Sequence, residues 1–376
     1  MAGLNREIDM SDTKDVGAPA KGPRIVMMGA GALGGYVGAH LAQAGHDVTL
    51  VDFWHEHIET IRKNGIQLSG LTPEETFSVP VKTMHLYEVS NIAKQGLIDI
   101  AFVSMKSYDT DWVTTLLKPY LSPNGYVVSL QNCINEETIA GIVGWGRTVG
   151  CIASAISVEL YEPGRIRRQA PKATGDTTIF RVGEIHGRLT QRIEDLAAML
   201  RHVDGTKATT NLWGERWSKL SQNAMRNGLS AATGLGGREM DEIEPIRHFS
   251  MRLAGEAVRI GIALGYQLEK VGKLDPQELL KAGNGDRDAF ARVDALMLAQ
   301  TTSGARGAFQ RPSMGQDMLK GRRTEIDYLN GFIVSKGKEI GIEAPANALL
   351  TEAVQRVERG EIPARVENIT AAWPPR

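Results

Sequence analysis

Two cysteines, Cys133 and Cys151, are all the thiol that this 376-residue chain contains. They stand at neither metal-binding nor redox spacing, so neither a disulfide framework nor a cysteine-rich metal site is expected. So few thiols in so long a chain suit a reducing compartment, and packing is the default role for each. Charge of one sign is missing as well. Lysine and arginine number 43 against 44 aspartates and glutamates, a formal net charge of −1. That balance excludes the basic field that nucleic acids or anionic membranes require. No apolar run approaches the ~18 residues of a membrane span. The first twenty residues, with Arg6, Glu7, Asp9, Asp12, Lys14 and Asp15, lack the apolar core of a signal peptide. The chain reads as cytoplasmic, with no internal repeat and no low-complexity tract.

What is present is ordinary globular material, long enough for two domains with sizeable cores. Positions 1–22 are small and polar and read as a disordered arm. Short apolar runs at 25–28, 48–51, 98–105 and 126–130 suit strands buried on both faces. Helical patterns at 32–44 and 56–63 alternate with them, which predicts an α/β fold, a doubly wound parallel sheet of Rossmann type. After about Lys207 the pattern turns helical, at 213–232, 245–264, 276–282, 289–300 and 325–340. The expected layout is the arm 1–22, a dinucleotide-binding domain 23–208 and a mainly α-helical domain 209–376.

Gly29-Ala30-Gly31-Ala32-Leu33-Gly34 is a G-x-G-x-x-G loop set between the first strand and the first helix. The spacing serves a tight turn, close approach of the backbone to a pyrophosphate, and close helix–strand packing. The phosphates would rest on free N–H groups at a helix N-terminus. Asp52 closes the second strand, 18 positions after Gly34. A carboxylate there can accept from the ribose hydroxyls of NAD and would repel a 2′-phosphate; the alternative is an N-cap for the helix that follows. No arginine follows Asp52 directly, so the local chemistry leans to NAD. His55 and His57, two apart, fall on different helix faces, and no metal site is expected.

Lys106 and Asn132 stand at the carboxyl ends of two further strands, where open parallel sheets hold their ligands, although by themselves both read slightly better as a solvated strand end. In the helical half, Lys219, Asn223 and Asn227 recur at i, i+4, i+8, one polar stripe if the helix is continuous. Leu212, Trp213, Trp217, Leu220, Ala224 and Leu229 surround that stripe with apolar groups, and a lysine in such company can protonate an alkoxide. Thr324 reads as an N-cap with Glu325 in the first helical turn, where the dipole favours a carboxylate.

Together these motifs resemble the ketopantoate reductase (2-dehydropantoate 2-reductase) family across about 24–356. The glycine loop, Lys106, Leu130-Gln131-Asn132, the Lys219, Asn223, Asn227 stripe and the block Ser313, Thr324-Glu325-Ile326-Asp327, Asn330-Gly331 occur in the family's order. The resemblance implies Lys219 as proton donor and Glu325 at the cofactor end of the site. It implies that Asn223, Asn227 and Ser313, with Lys219 and Asn132, bind the keto acid, and that Lys106 and Asn132 line the cofactor cleft. It also implies NADP as the habitual cofactor, against the leaning of Asp52 to NAD. Three departures stand out. Cys133 follows Asn132 where the family has glycine, so that loop is expected to run differently. The Asp52-Phe53 region lacks the arginine for a 2′-phosphate. The span from Asn227 to Ser313 is long, with extra residues around 270–310.

The implied partner is a small 2-keto acid, reduced at its keto carbon by NADH or NADPH, and a homodimer is compatible with the reading. Two rivals remain. A related keto-acid or hydroxyacid dehydrogenase shares the two-domain plan, and a non-catalytic NAD(P) sensor shares the glycine loop.

Overall fold

The computed structural model describes residues 22–175, 177–302 and 311–373. The expected arm lies outside them except for Gly22, as do positions 303–310 of the long span. Twelve strands are described: β1 Arg24–Met28, β2 Asp47–Asp52, β3 Ile66–Ser69, β4 Phe77–Val79, β5 Lys82–His85, β6 Ile98–Val103, β7 Leu121–Ser129, β8 Thr148–Ala153, β9 Val158–Glu162, β10 Arg165–Arg168, β11 Phe180–Glu184 and β12 Thr206–Ala208. Eight form one sheet in the order β12-β11-β8-β7-β6-β1-β2-β5. All five residues of β1 are buried, as an apolar strand covered on both faces requires. Strand order reverses beside β1, whose neighbours are β2 and β6, and the crevice beyond their carboxyl ends is where an α/β sheet receives its ligand.

The sheet is mixed rather than purely parallel. From β5 through β8 every pair is parallel, but β11 runs antiparallel to β8. Between those two strands the chain makes no helical crossover and builds the β9–β10 hairpin instead, which lets it return in the opposite sense. Helix Gln191–Leu200 then restores a crossover, and β12 lies parallel to β11.

A second sheet, β4-β3-β10-β9, was not legible in the sequence. Its strands are short; Arg168 is buried from them with its guanidinium on Tyr36 and Asp204, and Ile66, Leu68 and Ile166 are their buried apolar residues. These three join the core beneath the glycine-loop helix Ala32–Gln43. A Cβ on Gly35 would meet Ile166 at 2.6 Å, so the sheet backs that helix without a gap.

Beyond Ala208 the described chain is helical. The expected helix 213–232 is two helices, Leu212–Ala224 and Asn227–Thr233, separated at Met225-Arg226. Asn330 Nδ2 donates to the carbonyl of Ala224 at 3.1 Å and supplies the partner that a continuing helix would have given it. Arg226 turns aside to pair with the buried Asp241. Trp217, fully buried, donates its indole N–H to the Ala257 carbonyl at 2.7 Å and ties the first of these helices to the long helix Glu244–Ala263. Helices Pro276–Gly283 and Arg287–Thr302, within the long span, pack on that same helix. No helix among the described residues is long and apolar enough to cross a membrane.

Candidate active site

The glycine loop has the geometry that its spacing predicts. Gly29 adopts φ +95°, and a Cβ there would stand 2.6 Å from the Ser104 carbonyl oxygen. A Cβ on Gly34 would stand 2.0 Å from the Gly29 carbonyl oxygen, so helix and strand can approach only through a glycine. Gly31, by contrast, faces open space. Helix Ala32–Gln43 has no side-chain cap and no acid in its first turn, so its N–H groups there remain to be satisfied. Open space above uncapped amides fits the pyrophosphate of a dinucleotide.

Asp52 is fastened to this loop. Its Oδ2 accepts from the Ala30 N–H at 2.8 Å and its Oδ1 from the Trp54 N–H at 2.9 Å. It is not the N-cap of the following helix, which begins at His55 with Trp54 in the capping place. His57, buried, holds the other side of the same residue. The Gly164 N–H donates to His57 Nδ1 at 2.9 Å, which leaves the proton on Nε2 to donate to the Ala30 carbonyl, also at 2.9 Å. Burial pushes the His57 pKa down, in keeping with a neutral ring. Ala30 is therefore clamped at its N–H by Asp52 and at its carbonyl by His57. The histidine showed no such role in the sequence, because the partners lie 27 and 107 positions away.

Lys106 is not a solvated strand end. Its ammonium contacts Asp317 Oδ2 at 2.5 Å and Glu325 Oε2 at 3.4 Å, both from the helical half. Burial alone would lower its pKa; the two acids overcome that and hold it above the ordinary lysine value. Glu325 is not in a first helical turn either. A short 3-10 turn, Ile326–Tyr328, follows it, and the helix proper starts only at Asn330. Thr324 Oγ1 accepts from the Ile326 N–H at 3.3 Å, while the buried Glu325 turns away from its own segment. Its Oε1 accepts from both the N–H and the hydroxyl of Ser107, at 2.9 and 2.8 Å. A helix-dipole account of Glu325 therefore fails. Ser107 and Asp317 are site residues that the sequence reading missed.

The stripe of Lys219, Asn223 and Asn227 is broken, since Asn227 opens the second helix. Lys219 and Asn223 remain one turn apart on helix Leu212–Ala224, both half-buried. Asn227 Nδ2 donates to Ser313 Oγ at 3.2 Å, which joins two of the expected substrate residues. Asn132 is half-buried after β7, its carbonyl held by Asn135 Nδ2 at 2.8 Å. The loop it belongs to takes a left-handed backbone at the next residue: Cys133 has φ +62°, a conformation that glycine adopts freely. Cys133 is buried against Ser107, with the charges of Glu325, Lys219 and Lys106 around its thiol.

Lys219 carries the most perturbed cation of the site. Burial first, and then the Arg216 cation, bring its pKa down to about 8, while the Glu325 carboxylate opposes the fall. Such a group is an acid close to neutral pH and can give up a proton readily.

Comparison with known proteins agrees with this layout. Residues 25–179 match the family described as ketopantoate reductase PanE/ApbA, and residues 211–358 match its C-terminal region. A 2-dehydropantoate 2-reductase of Pyrococcus horikoshii is 30% identical over 336 residues, 89% of this chain and 97% of the relative. One of Archaeoglobus fulgidus is 29% identical, over 90% of this chain and 98% of its own. The crystal structure of a PanE/ApbA family ketopantoate reductase from Ralstonia eutropha superposes with a TM-score of 0.72 at 26% identity, over 90% of this chain and 99% of that one. A ternary structure of D-mandelate dehydrogenase with NADH and anilino(oxo)acetate shares the fold, with a TM-score of 0.72 at 22% identity, over 90% and 98% of the two chains. The chain belongs to the ketopantoate reductase family of oxidoreductases.

Proposed function

We propose that this protein reduces the keto group of a small 2-keto acid, 2-dehydropantoate foremost, to the corresponding 2-hydroxy acid with NADH or NADPH. The observation that carries the reading is the placement of Lys219, half-buried on helix Leu212–Ala224 one turn from Asn223, with the Glu325 carboxylate near enough to act on its charge. In this reading 23–208 is the cofactor domain and 209–376 the substrate domain, in a cytoplasmic enzyme.

A bound reduced nicotinamide supplies the hydride. Gly29, Ala30, Gly31, Ala32, Leu33 and Gly34 would hold its pyrophosphate, with Asp52 facing the adenosine ribose. Each oxygen of Asp52 accepts one backbone N–H, which leaves a lone pair on each for a ribose hydroxyl. Lys106 and Asn132 would line the nicotinamide end of the cleft. Asn223 and Asn227 orient the carbonyl and any hydroxyl of the keto acid, and Ser313 receives its carboxylate. As charge grows on the substrate oxygen, the Lys219 ammonium stabilises it and then protonates it. Glu325 holds Lys106 and Ser107 in place and contributes the negative charge that keeps Lys219 from losing its proton too early.

Initial rates over a panel of 2-keto acids, with NADH and with NADPH, test the assignment. Oxidation of either cofactor by ketopantoate above other branched keto acids is the expected result. No turnover with any branched 2-keto acid would overturn it.

A further inference from the structure

We propose that Arg216 is a positioning residue for this reduction: it fastens the helix that carries Lys219 to the loop that carries Asn132, and it fixes a positive charge beside the Lys219 ammonium. The proposal rests on the reading of Lys219 as proton donor. Arg216 precedes Lys219 by three residues on helix Leu212–Ala224, which places the two as neighbours on one face. By sequence it belongs to the helical half. Yet its guanidinium is 1% exposed, sunk under the carboxyl end of β7. Nη1 donates to the Gln131 carbonyl at 2.7 Å, and Nη2 to the Ser129 carbonyl at 2.9 Å and the Ser129 hydroxyl at 3.2 Å. Nε donates to Glu136 Oε1 at 2.7 Å.

The network does not stop at Glu136. Its other carboxylate oxygen accepts from the Asn135 N–H at 3.1 Å, and Asn135 Nδ2 donates to the Ser107 hydroxyl at 3.3 Å. Ser107 donates to Glu325. One line of hydrogen bonds thus runs from the helix of Lys219, behind Asn132, to the carboxylate on the far side of the site. A buried ion pair is a poor means of holding two domains together, because well-packed apolar residues usually do so as well or better. What apolar residues cannot do is aim at two backbone carbonyls at once and leave a fixed charge beside the lysine. The groups facing Lys219 are Arg216 on its own helix, Cys133 after β7, Cys151 on β8 and Glu325 before its 3-10 turn. Burial keeps both thiols neutral, so Arg216 and Glu325 set the local field between them.

The test is the pH dependence of kcat for keto-acid reduction in Arg216→Met/Glu136→Gln and Arg216→Lys, alongside melting temperatures. The double variant removes both buried charges, so no unpaired carboxylate is left to unfold it. It should shift the alkaline fall of kcat upward by about one pH unit, as the loss of a neighbouring like charge requires. It should also lose about tenfold in kcat through lost alignment. Arg216→Lys keeps the charge but not the fork, so it should lose kcat while its alkaline fall stays at the wild-type pH. A folded double variant with the wild-type profile and turnover overturns the proposal. Should that variant not fold, wild-type kcat in Arg216→Lys overturns it instead. Full turnover in Lys219→Ala marks a different failure, that of the proton-donor reading itself.

Discussion

Ser107 gives both its backbone N–H and its hydroxyl to a single oxygen of Glu325, 218 positions away in the chain. That contact joins the end of β6 to the helical half and sits beside Lys106, Cys133 and Asn135. Replacing Glu325 by glutamine keeps an oxygen for Ser107 but removes the charge that faces Lys106 and Lys219. The expected outcome is a loss of tenfold or more in kcat/KM, since hydrogen bonds to charged groups contribute about 1.5–3 kcal/mol. Steady-state kinetics with thermal melts decides it: unaltered turnover with a lower Tm would reduce Glu325 to a structural role.

Lys219→Ala should lower kcat by about 10²–10⁴-fold, the usual contribution of a positioned acid. Wild-type kcat should fall as pH rises through about 8, because the ammonium is the active form. Lys219 also gives a stability signature with a definite sign. Its folded pKa lies below the ordinary lysine value of 10.5, so below about 8 the full cost of burying the charge opposes folding. The unfolded state binds more protons between those two values, so that cost fades as pH rises. Lys219→Met should therefore be the more stable protein at neutral pH, and its advantage should shrink as pH approaches 10.5. Denaturant melts of both proteins across this range measure the gap; a gap that does not narrow contradicts a depressed lysine.

Asp52 now has two tasks, and its removal separates them. Without the carboxylate the Ala30 N–H loses its partner, so affinity for either cofactor should fall by about five- to tenfold, the worth of one such bond. The repulsion of a 2′-phosphate disappears as well, so Asp52→Ala should move the NADPH-to-NADH ratio of kcat/KM towards NADPH. A ratio that stays fixed would remove Asp52 from the ribose site and leave it as a clamp of the loop. The wild type is expected to use NADH at least as well as NADPH.

His57 holds the other side of Ala30, and His57→Ala should weaken cofactor binding by a similar factor while kcat at saturation is retained. Titration of protein fluorescence with NADH reads this directly. Equal affinities in variant and wild type would show that the glycine loop keeps its shape without the imidazole.

Cys133 occupies a left-handed backbone position, which costs an L-residue roughly 1–2 kcal/mol. Alanine keeps that strain and loses the buried sulfur; glycine loses the sulfur and the strain together. Cys133→Gly should therefore melt above Cys133→Ala. The reverse order would mean that Cβ packing and the extra freedom that glycine gives the unfolded chain outweigh the backbone strain at this position.

Much of the fold was legible because its signals are local. The glycine loop, the buried strands β1, β2, β6 and β7, and helices such as Glu244–Ala263 each depend on residues adjacent in sequence. What misled was also local. Thr324-Glu325 has the pattern of a helix start, yet Ser107 draws the carboxylate elsewhere and the helix begins later. Lys219, Asn223 and Asn227 have the spacing of one helix, yet Asn330 caps Ala224 and the stripe breaks.

The sequence alone determined the alternation of strand and helix, the turn that fits a pyrophosphate, and the order of motifs that marks the family. Periodicity and glycine placement act over a few residues and need no distant partner. The tertiary structure decided which charges meet. Lys106 found Asp317 and Glu325, Arg216 found Glu136, and Ala30 found Asp52 and His57, through contacts spanning 22 to 219 positions. The pKa of Lys219 belongs to that second class. A lysine near 8 is made by burial and by the cations and acids that folding sets around it, and no stretch of sequence contains them all.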